Sequence, residues 1–292
     1  MSAITASLVK ELRDKTNAGM MDCKAALTEA NGDLAAAEDI LRKKGIAKAG
    51  KKADREAKDG LVQAAISADG STGTMIEVNC ETDFVSKNEN FRGFVQELSA
   101  LLQGTAVADG DTAAFLSTSA TAGLSVEETV KAKIAEIGEN IVIKRLARFT
   151  AGASSRLASY IHMQGRVGVL LEVAAGKAET LQHADVKSVV QDITLHICAA
   201  SPICISRDEV PSEVIEKEKE IAAEQVKDKP AAAIAKIVEG KMGKFYSQVC
   251  LLEQGFIKDP DQTIADLLKA IGSKAGDTLE VKRFKRFAIG EA

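Results

Sequence analysis

An internal repeat constrains the fold of this chain more than any other feature. A shift of 95 positions lays Gly70 on Gly165 and Gly73 on Gly168. The same shift matches Ile66 with Ile161, Glu77 with Glu172 and Val78 with Val173, and lays Val95-Gln96-Glu97-Leu98 on Val190-Gln191-Asp192-Ile193. In the first copy, residues 61–67 and 74–80 alternate like strands around a glycine-containing turn, which predicts a hairpin. A helix is expected from Asn90 to Gln103, with Phe91, Phe94, Val95, Leu98 and Leu102 turned inward. Hairpin and helix therefore occur twice in one register. Two related α+β subdomains follow, each packing a helix on a small antiparallel sheet.

Helical periods dominate outside the repeat. Ile4, Leu8 and Leu12 share one face; after a break at Asn17-Ala18-Gly19, Cys23, Ala26 and Leu27 share another. Asn31-Gly32-Asp33 is a turn with Asp33 as N-cap, and Leu34, Ala37, Ile40 and Leu41 continue a third helix. Such a bundle is near the lower size limit for folding alone, and reads as a small binding module. Residues 46–60 lack apolar periodicity and read as a linker, helical at most at its start. Residues 104–124 read as a loop. Ser125 and Glu128 have capping-box spacing before a helix that runs to Gly138, and a strand covers 140–149. Beyond Pro211, Ser212–Lys227 and Pro230–Val249 form two runs across a tight Lys-Asp-Lys link, an antiparallel hairpin. Its sparse apolar positions imply an arm that projects, either to dimerise or to touch a partner. A helix from Thr263 to Ile271, ended by Gly272, and a strand from Thr278 to Phe284 complete the chain.

Composition removes several function classes. The net charge of −4 gives no global electrostatic footprint for nucleic acid, DNA included. Aromatic residues at 4%, without Trp, leave little for stacking bases. Five cysteines without C-x-x-C spacing argue against a disulfide framework or structural zinc, and read as buried thiols. The acid-containing N-terminus does not read as a signal peptide, and no stretch approaches a membrane span, so a cytoplasmic protein is expected. His162, His183 and His196 lack metal-ligand spacing, and neither a nucleophile elbow nor a P-loop occurs. No enzyme activity, metal or cofactor is expected. A ribosome- or RNA-binding accessory role is the alternative, because Lys144-Arg145, Arg148-Phe149 and Lys282–Phe287 interleave basic and aromatic residues; strand alternation would put these charges on an exposed sheet face.

The two copies differ where the hairpin ends. The first continues Cys80-Glu81-Thr82-Asp83-Phe84-Val85; the second has Ala175-Gly176-Lys177-Ala178-Glu179-Thr180. The segment Thr82–Val85 therefore reads as an addition to one copy, outside the shared fold. Composition leaves open whether Phe84 is a core plug or a contact residue, and Asp83 a helix cap. Met20 and Met21, taken by themselves, read as core residues.

Together with its surroundings, this segment resembles elongation factor Ts. The opening stretch ITASLVKELRDKTNAGMMDCKAALTEANGD, the blocks IEVNCETDFV and IGENI, and YIHMQGRVGVLLEV are similar to that family. The likeness runs from about residue 2 to residue 290 and is weakest over 104–124. The resemblance implies a guanine-nucleotide exchange factor for elongation factor Tu. It also implies a ubiquitin-associated-like three-helix domain over 1–46, a linker over 47–60, and core subdomains at 61–149 and at 150–205 with 250–292, with a helical-hairpin arm at 206–249. By the same likeness, Asp83 and Phe84 enter the GTPase near its magnesium and phosphate site, Phe84 as a wedge between helices and Asp83 as a charge beside the metal. Arg13, Met20 and Met21 would pack on another helix of the GTPase, and His162 would serve contact or packing in the second core subdomain. Some family members carry a further C-terminal helical module; the sequence given ends at Ala292, so no contact from such a module is expected.

Overall fold

The computed structural model describes residues 4–16, 18–120, 123–227 and 229–291, without the side chains of Ile46, Lys48, Ala231 and Ala232. Asn17 of the expected first break, two residues of the 104–124 segment and Asp228 of the arm link lie outside the described residues.

Three helices open the chain: α1 (Ala6–Thr16), α2 (Met20–Glu29) and α3 (Leu34–Gly50). They close around Leu12, Cys23, Ala26, Leu27 and Ala37, all without solvent exposure. Asp33 caps α3 by accepting the Ala36 N–H at 3.0 Å, as its position predicts. The helix runs on to Gly50, into the segment read as a linker. The extension has a physical cause. A bundle this small buries little surface by itself, and α3 gains support by lying on a helix of the first core half. Ala49 is buried in that half's core, and Gly45 faces Ala135 across a gap with room for little more than a hydrogen.

The first half then builds β1 (Asp59–Ile66), β2 (Thr72–Cys80), a helical turn α4 (Asp83–Ser86), α5 (Glu89–Gly104), α6 (Thr112–Ser117), α7 (Val126–Ile137) and β3 (Ile141–Thr150). The second contributes β4 (Ser155–His162), β5 (Val167–Ala175), α8 (Ala184–Ala200), the arm helices α9 (Ser212–Glu224) and α10 (Ala231–Val249), a small hairpin β6 (Gly255–Phe256) and β7 (Asp259–Thr263), α11 (Ile264–Lys274) and β8 (Leu279–Ala288). This is the expected α+β plan. Two elements depart from expectation. The loop over 104–124 contains α6, capped by Asp111 and pinned by the fully buried Phe115. Gly272 does not end α11 but lies within it, because its missing side chain lets the chain at Asp277–Leu279 pass at van der Waals contact. The capping box of Ser125 and Glu128, and the left-handed Gly138 at the end of α7, are both present.

The repeat is legible in the backbone. The sheets are ordered β1-β2-β3 and β4-β5-β8, all antiparallel. Ile66 pairs with Gly73, and Ile161 with Gly168. Each central strand is irregular at one place, between Glu77 and Val78 and between Glu172 and Val173. The two sheets face each other across Val62, Met75, Ala147, Phe149, Leu157, Leu170 and Phe287. Their outer faces are covered by α5, α6 and α7 on one side and by α8 and α11 on the other. The duplicated glycines are where the sheets approach. A side chain on Gly73 would lie 2.8 Å from Leu170 Cδ1, and one on Gly168 would lie 2.9 Å from Met75 Sδ.

The exposed charged face that alternation suggests is formed only in part: Lys144, Lys282 and Lys285 are exposed, but two arginines of β3 and β8 turn to the interior. Arg145 Nε donates to the fully buried Glu77 at 2.6 Å, and its guanidinium stacks on Phe287 of the other sheet, 4.6 Å from the ring centre. Arg283 Nε donates to the buried Glu172 at 2.7 Å and stacks on Phe149 at 4.2 Å. The second guanidinium nitrogen of each crosses between halves, Arg145 to Ala288 O and Arg283 to Thr150 O. Each sheet thus lends an arginine to the other's aromatic ring. A buried carboxylate without such a partner would be costly, so these cations serve the interior.

Candidate functional site

The first copy's turn starts from a carboxylate clamp. Glu139, in the link between α7 and β3, accepts the N–H groups of Glu81 at 3.1 Å and Thr82 at 3.0 Å on one oxygen. Its other oxygen accepts the Thr82 hydroxyl at 2.6 Å. Since the Thr82 proton points to Glu139, the lone pairs of the same oxygen are left for the Val85 N–H, 3.4 Å away, and Thr82 is the N-cap of α4. The cap is therefore Thr82 and not Asp83. Val85 packs against the core and Ser86 is buried, its hydroxyl donating to Asp83 O at 3.1 Å.

With those two residues inward, Asp83 and Phe84 must face out. Asp83 forms an ion pair with Lys87 at 2.7 Å on the surface. Phe84 is 84% exposed, so it is not a core plug. Leaving such a ring in water forgoes roughly 1.5–3 kcal/mol of burial that only another surface can recover.

The structure corrects the expectation that this segment is an addition to one copy. In the second copy Ala178–Gln182 forms a helical turn at the matching place. There Asp277 does the work of Glu139, accepting Lys177 N–H at 2.8 Å and the Thr180 hydroxyl at 2.6 Å. These bonds, with one from Thr278 N–H, hold the Asp277 carboxyl below its ordinary range. The turn belongs to the shared fold. What the first copy adds is the ring: the exposed Glu179 stands where Phe84 stands.

The remaining candidates lie on separate elements. Met20 and Met21 open α2 and are 45% and 77% exposed, against the core placement expected of them by themselves. Arg13 is exposed on α1. His162 is exposed at the end of β4, its Nδ1 2.9 Å from the Tyr160 hydroxyl. Met163 follows, 67% exposed, with a positive φ of 47° that it shares in kind with Gln164 at 56°. Sequence reasoning passed over Met163 and Glu139. The second could have been found from the spacing that relates Phe149 to Phe287, which also relates Glu139 to Asp277.

The interior histidine is structural. His196 is fully buried, with Nε2 2.9 Å from Gln254 Oε1 and Nδ1 accepting the Ile257 N–H at 3.3 Å, and burial pushes its pKa down despite the Gln254 bond. Among the described residues no group of three or more His, Cys, Asp or Glu is placed to hold a metal ion, and no helix is long and apolar enough to cross a membrane.

The fold is thus that of an α+β protein with a duplicated core, whose candidate side chains stand exposed on separate helices, a turn and a strand end. Comparison with known proteins makes this specific. The elongation factor TS family profile matches residues 81–291. Elongation factor Ts of Thioalkalivibrio sulfidiphilus is 44% identical over 99% of this chain and 92% of its own length. That of Nautilia profundicola is 45% identical over 100% and 94%, and that of Bdellovibrio bacteriovorus 43% over 99% and 93%. The chain belongs to the elongation factor Ts family, and its role lies in the elongation stage of protein synthesis.

Proposed function

We propose that this protein is a guanine-nucleotide exchange factor that binds elongation factor Tu carrying GDP, disturbs its magnesium and phosphate site, and so promotes GDP release in the cytoplasm. It acts by binding, with no catalytic step and no cofactor of its own. Thr82–Val85 is the working segment: Phe84 wedges into the GTPase, Asp83 brings a negative charge toward the magnesium, and Thr82 and Val85 hold the turn. Arg13, Met20 and Met21 form a second contact, for which flexible, polarisable methionines are suited. His162 adds a third from the second core half. The arm is available for pairing with a second copy of the chain.

The observation that carries this reading is the 84% exposure of Phe84 on a turn whose backbone is fixed by Glu139 and Thr82. A turn whose backbone is already fixed has less to lose in ordering when its ring docks. A GTPase holds GDP through magnesium and a phosphate-cradling loop. A factor that fits the nucleotide-free form better weakens GDP binding by the same free energy by which GDP weakens the factor, and each 1.4 kcal/mol of that coupling is about tenfold. The ion pairs and stacking of Arg145 and Arg283 leave the RNA-binding alternative without support from their side chains.

Release of fluorescent GDP from elongation factor Tu tests the proposal. The protein is expected to accelerate release, and Phe84→Ala to bind but accelerate it less. Absence of any acceleration by the unsubstituted protein sinks the exchange reading. Full activity of both Phe84→Ala and Asp83→Ala removes the turn from the mechanism.

A further inference from the structure

We propose that Glu139 is a positioning residue for Phe84: by taking two backbone N–H groups and one hydroxyl proton from residues 81–82, it sets the direction in which the ring leaves the core. The inference rests on the exchange reading for its functional consequence, though not for its geometry.

Three of the donors that fix the base of the turn converge on this one carboxylate, at 3.1, 3.0 and 2.6 Å. The third also decides the cap, because the Thr82 oxygen can accept the Val85 N–H only with its own proton turned elsewhere. Glu139 is itself held from behind. Asn140 N–H donates to Glu81 Oε1 at 2.6 Å, which straps the α7–β3 link to the end of β2 in the opposite sense. The Asn140 side-chain amide donates to Arg55 O at 2.7 Å and to Ala53 O at 3.3 Å, and Lys52 reaches Gly138 O. The link therefore cannot follow the turn if the turn drifts. Both halves hold the turn by a carboxylate, but only one carries a ring at its tip: beneath Glu179, Asp277 takes the Lys177 N–H and the Thr180 hydroxyl, without a side-chain cap.

That duplication supplies a matched control. Asp277→Ala removes a related carboxylate clamp, of one N–H and one hydroxyl, from a turn without an aromatic residue. A merely structural role for the clamp predicts equal consequences in both copies; a positioning role does not.

The experiment uses the full chain. The protein contains no Trp, so Phe84→Trp places a single indole at the tip. In that background, Glu139→Ala is expected to lower indole anisotropy, and Asp277→Ala to leave it unchanged. With Phe84 retained, Glu139→Ala is expected to lower the maximal rate of GDP release from elongation factor Tu by about tenfold, as a small misplacement of a working group can. The factor concentration at half-maximal rate should change far less, and Asp277→Ala should keep the maximal rate. Should Glu139→Ala fail to fold, Glu139→Gln keeps the volume and an oxygen for the two N–H groups but sets an amide nitrogen against the Thr82 hydroxyl, whose proton then loses its acceptor; smaller changes of the same sign are expected. Unchanged anisotropy, an unchanged maximal rate, or equal losses from both clamps overturns the proposal. If the unsubstituted protein fails to accelerate release, the exchange reading falls, and the anisotropy comparison alone still decides whether Glu139 holds the turn.

Discussion

At the scale of single residues, exposure and partnership separate groups that look alike in the sequence. Phe84 and Phe91 lie seven positions apart, yet one is 84% exposed and the other fully buried. Phe84→Ala should change stability by no more than about 0.5 kcal/mol. Phe91→Ala should cost about 3–5 kcal/mol, and urea unfolding measures both. Glu77 and Glu172 are the buried charges of the sheet interface. Arg145→Ala would leave Glu77, among the described residues, with Lys144 at 3.8 Å as its ion-pair partner, and should cost about 3 kcal/mol in the same assay. Burial pushes the Glu172 carboxyl up, but bonds from Arg283, Gly152 and Ser155 and the Arg283 charge prevail and hold it below its ordinary range. Because the folded value is depressed, this contribution is present above the unfolded glutamate pKa of about 4.3 and is lost as pH falls through the folded value. Glu172→Gln should therefore flatten the acid limb of a stability–pH curve. Composition could not assign Phe84 to core or surface, since its direction is set by Thr82 and by a carboxylate 57 positions from Thr82.

At the scale of elements, glycine is where sequence and structure agree best and also where they part. Gly73 and Gly168 were legible as a repeated pair because both stand at the same point of sheet-to-sheet approach. Gly168→Ala should destabilise by about 1–3 kcal/mol, and Val62→Ala in the same chain should recover part of the loss by clearing the facing methyl group. Gly272 misled because close approach and helix termination both select glycine, and spacing does not distinguish them. The short α6 was hidden in a stretch of small polar residues; Phe115 alone signalled it, and one buried ring sets no period. At the root of the arm, Cys204 and Cys250 are buried with their sulfurs 3.6 Å apart, and burial, with the neighbouring Cys204 thiol, pushes Cys250 up to about 12. Both should resist iodoacetamide in the native protein and react once urea opens the fold, as mass spectrometry of the alkylated chain would report.

At the scale of the whole molecule, the plan of two copies was readable because strand register and glycine placement repeat in the chain itself. The contact between copies was not. Alternation shows that Arg145 and Arg283 share a strand with aromatic residues, but not that each reaches a ring on the opposite sheet. That exchange makes the halves mutually dependent. Arg283→Ala should weaken hydrogen-exchange protection in β2 and β3 as well as in β5 and β8, whereas independent halves would confine the loss to β5 and β8.

The arm is joined to this body in a way that has its own consequence. The chain enters at Cys204 and returns at Cys250 side by side, bridged as parallel neighbours, with Leu251 N–H bonded to Cys204 O at 2.9 Å. Because the two segments run in the same direction, no tight turn can join them: the chain must travel out and come back before it re-enters, and the arm is that crossover. The arm is thus an exchangeable cassette and not a dispensable one: another protein's helical hairpin that brings the chain back to the same doorway could replace it with little disturbance to the register of the sheets behind it, whereas closing the gap with a short turn would break the bridge.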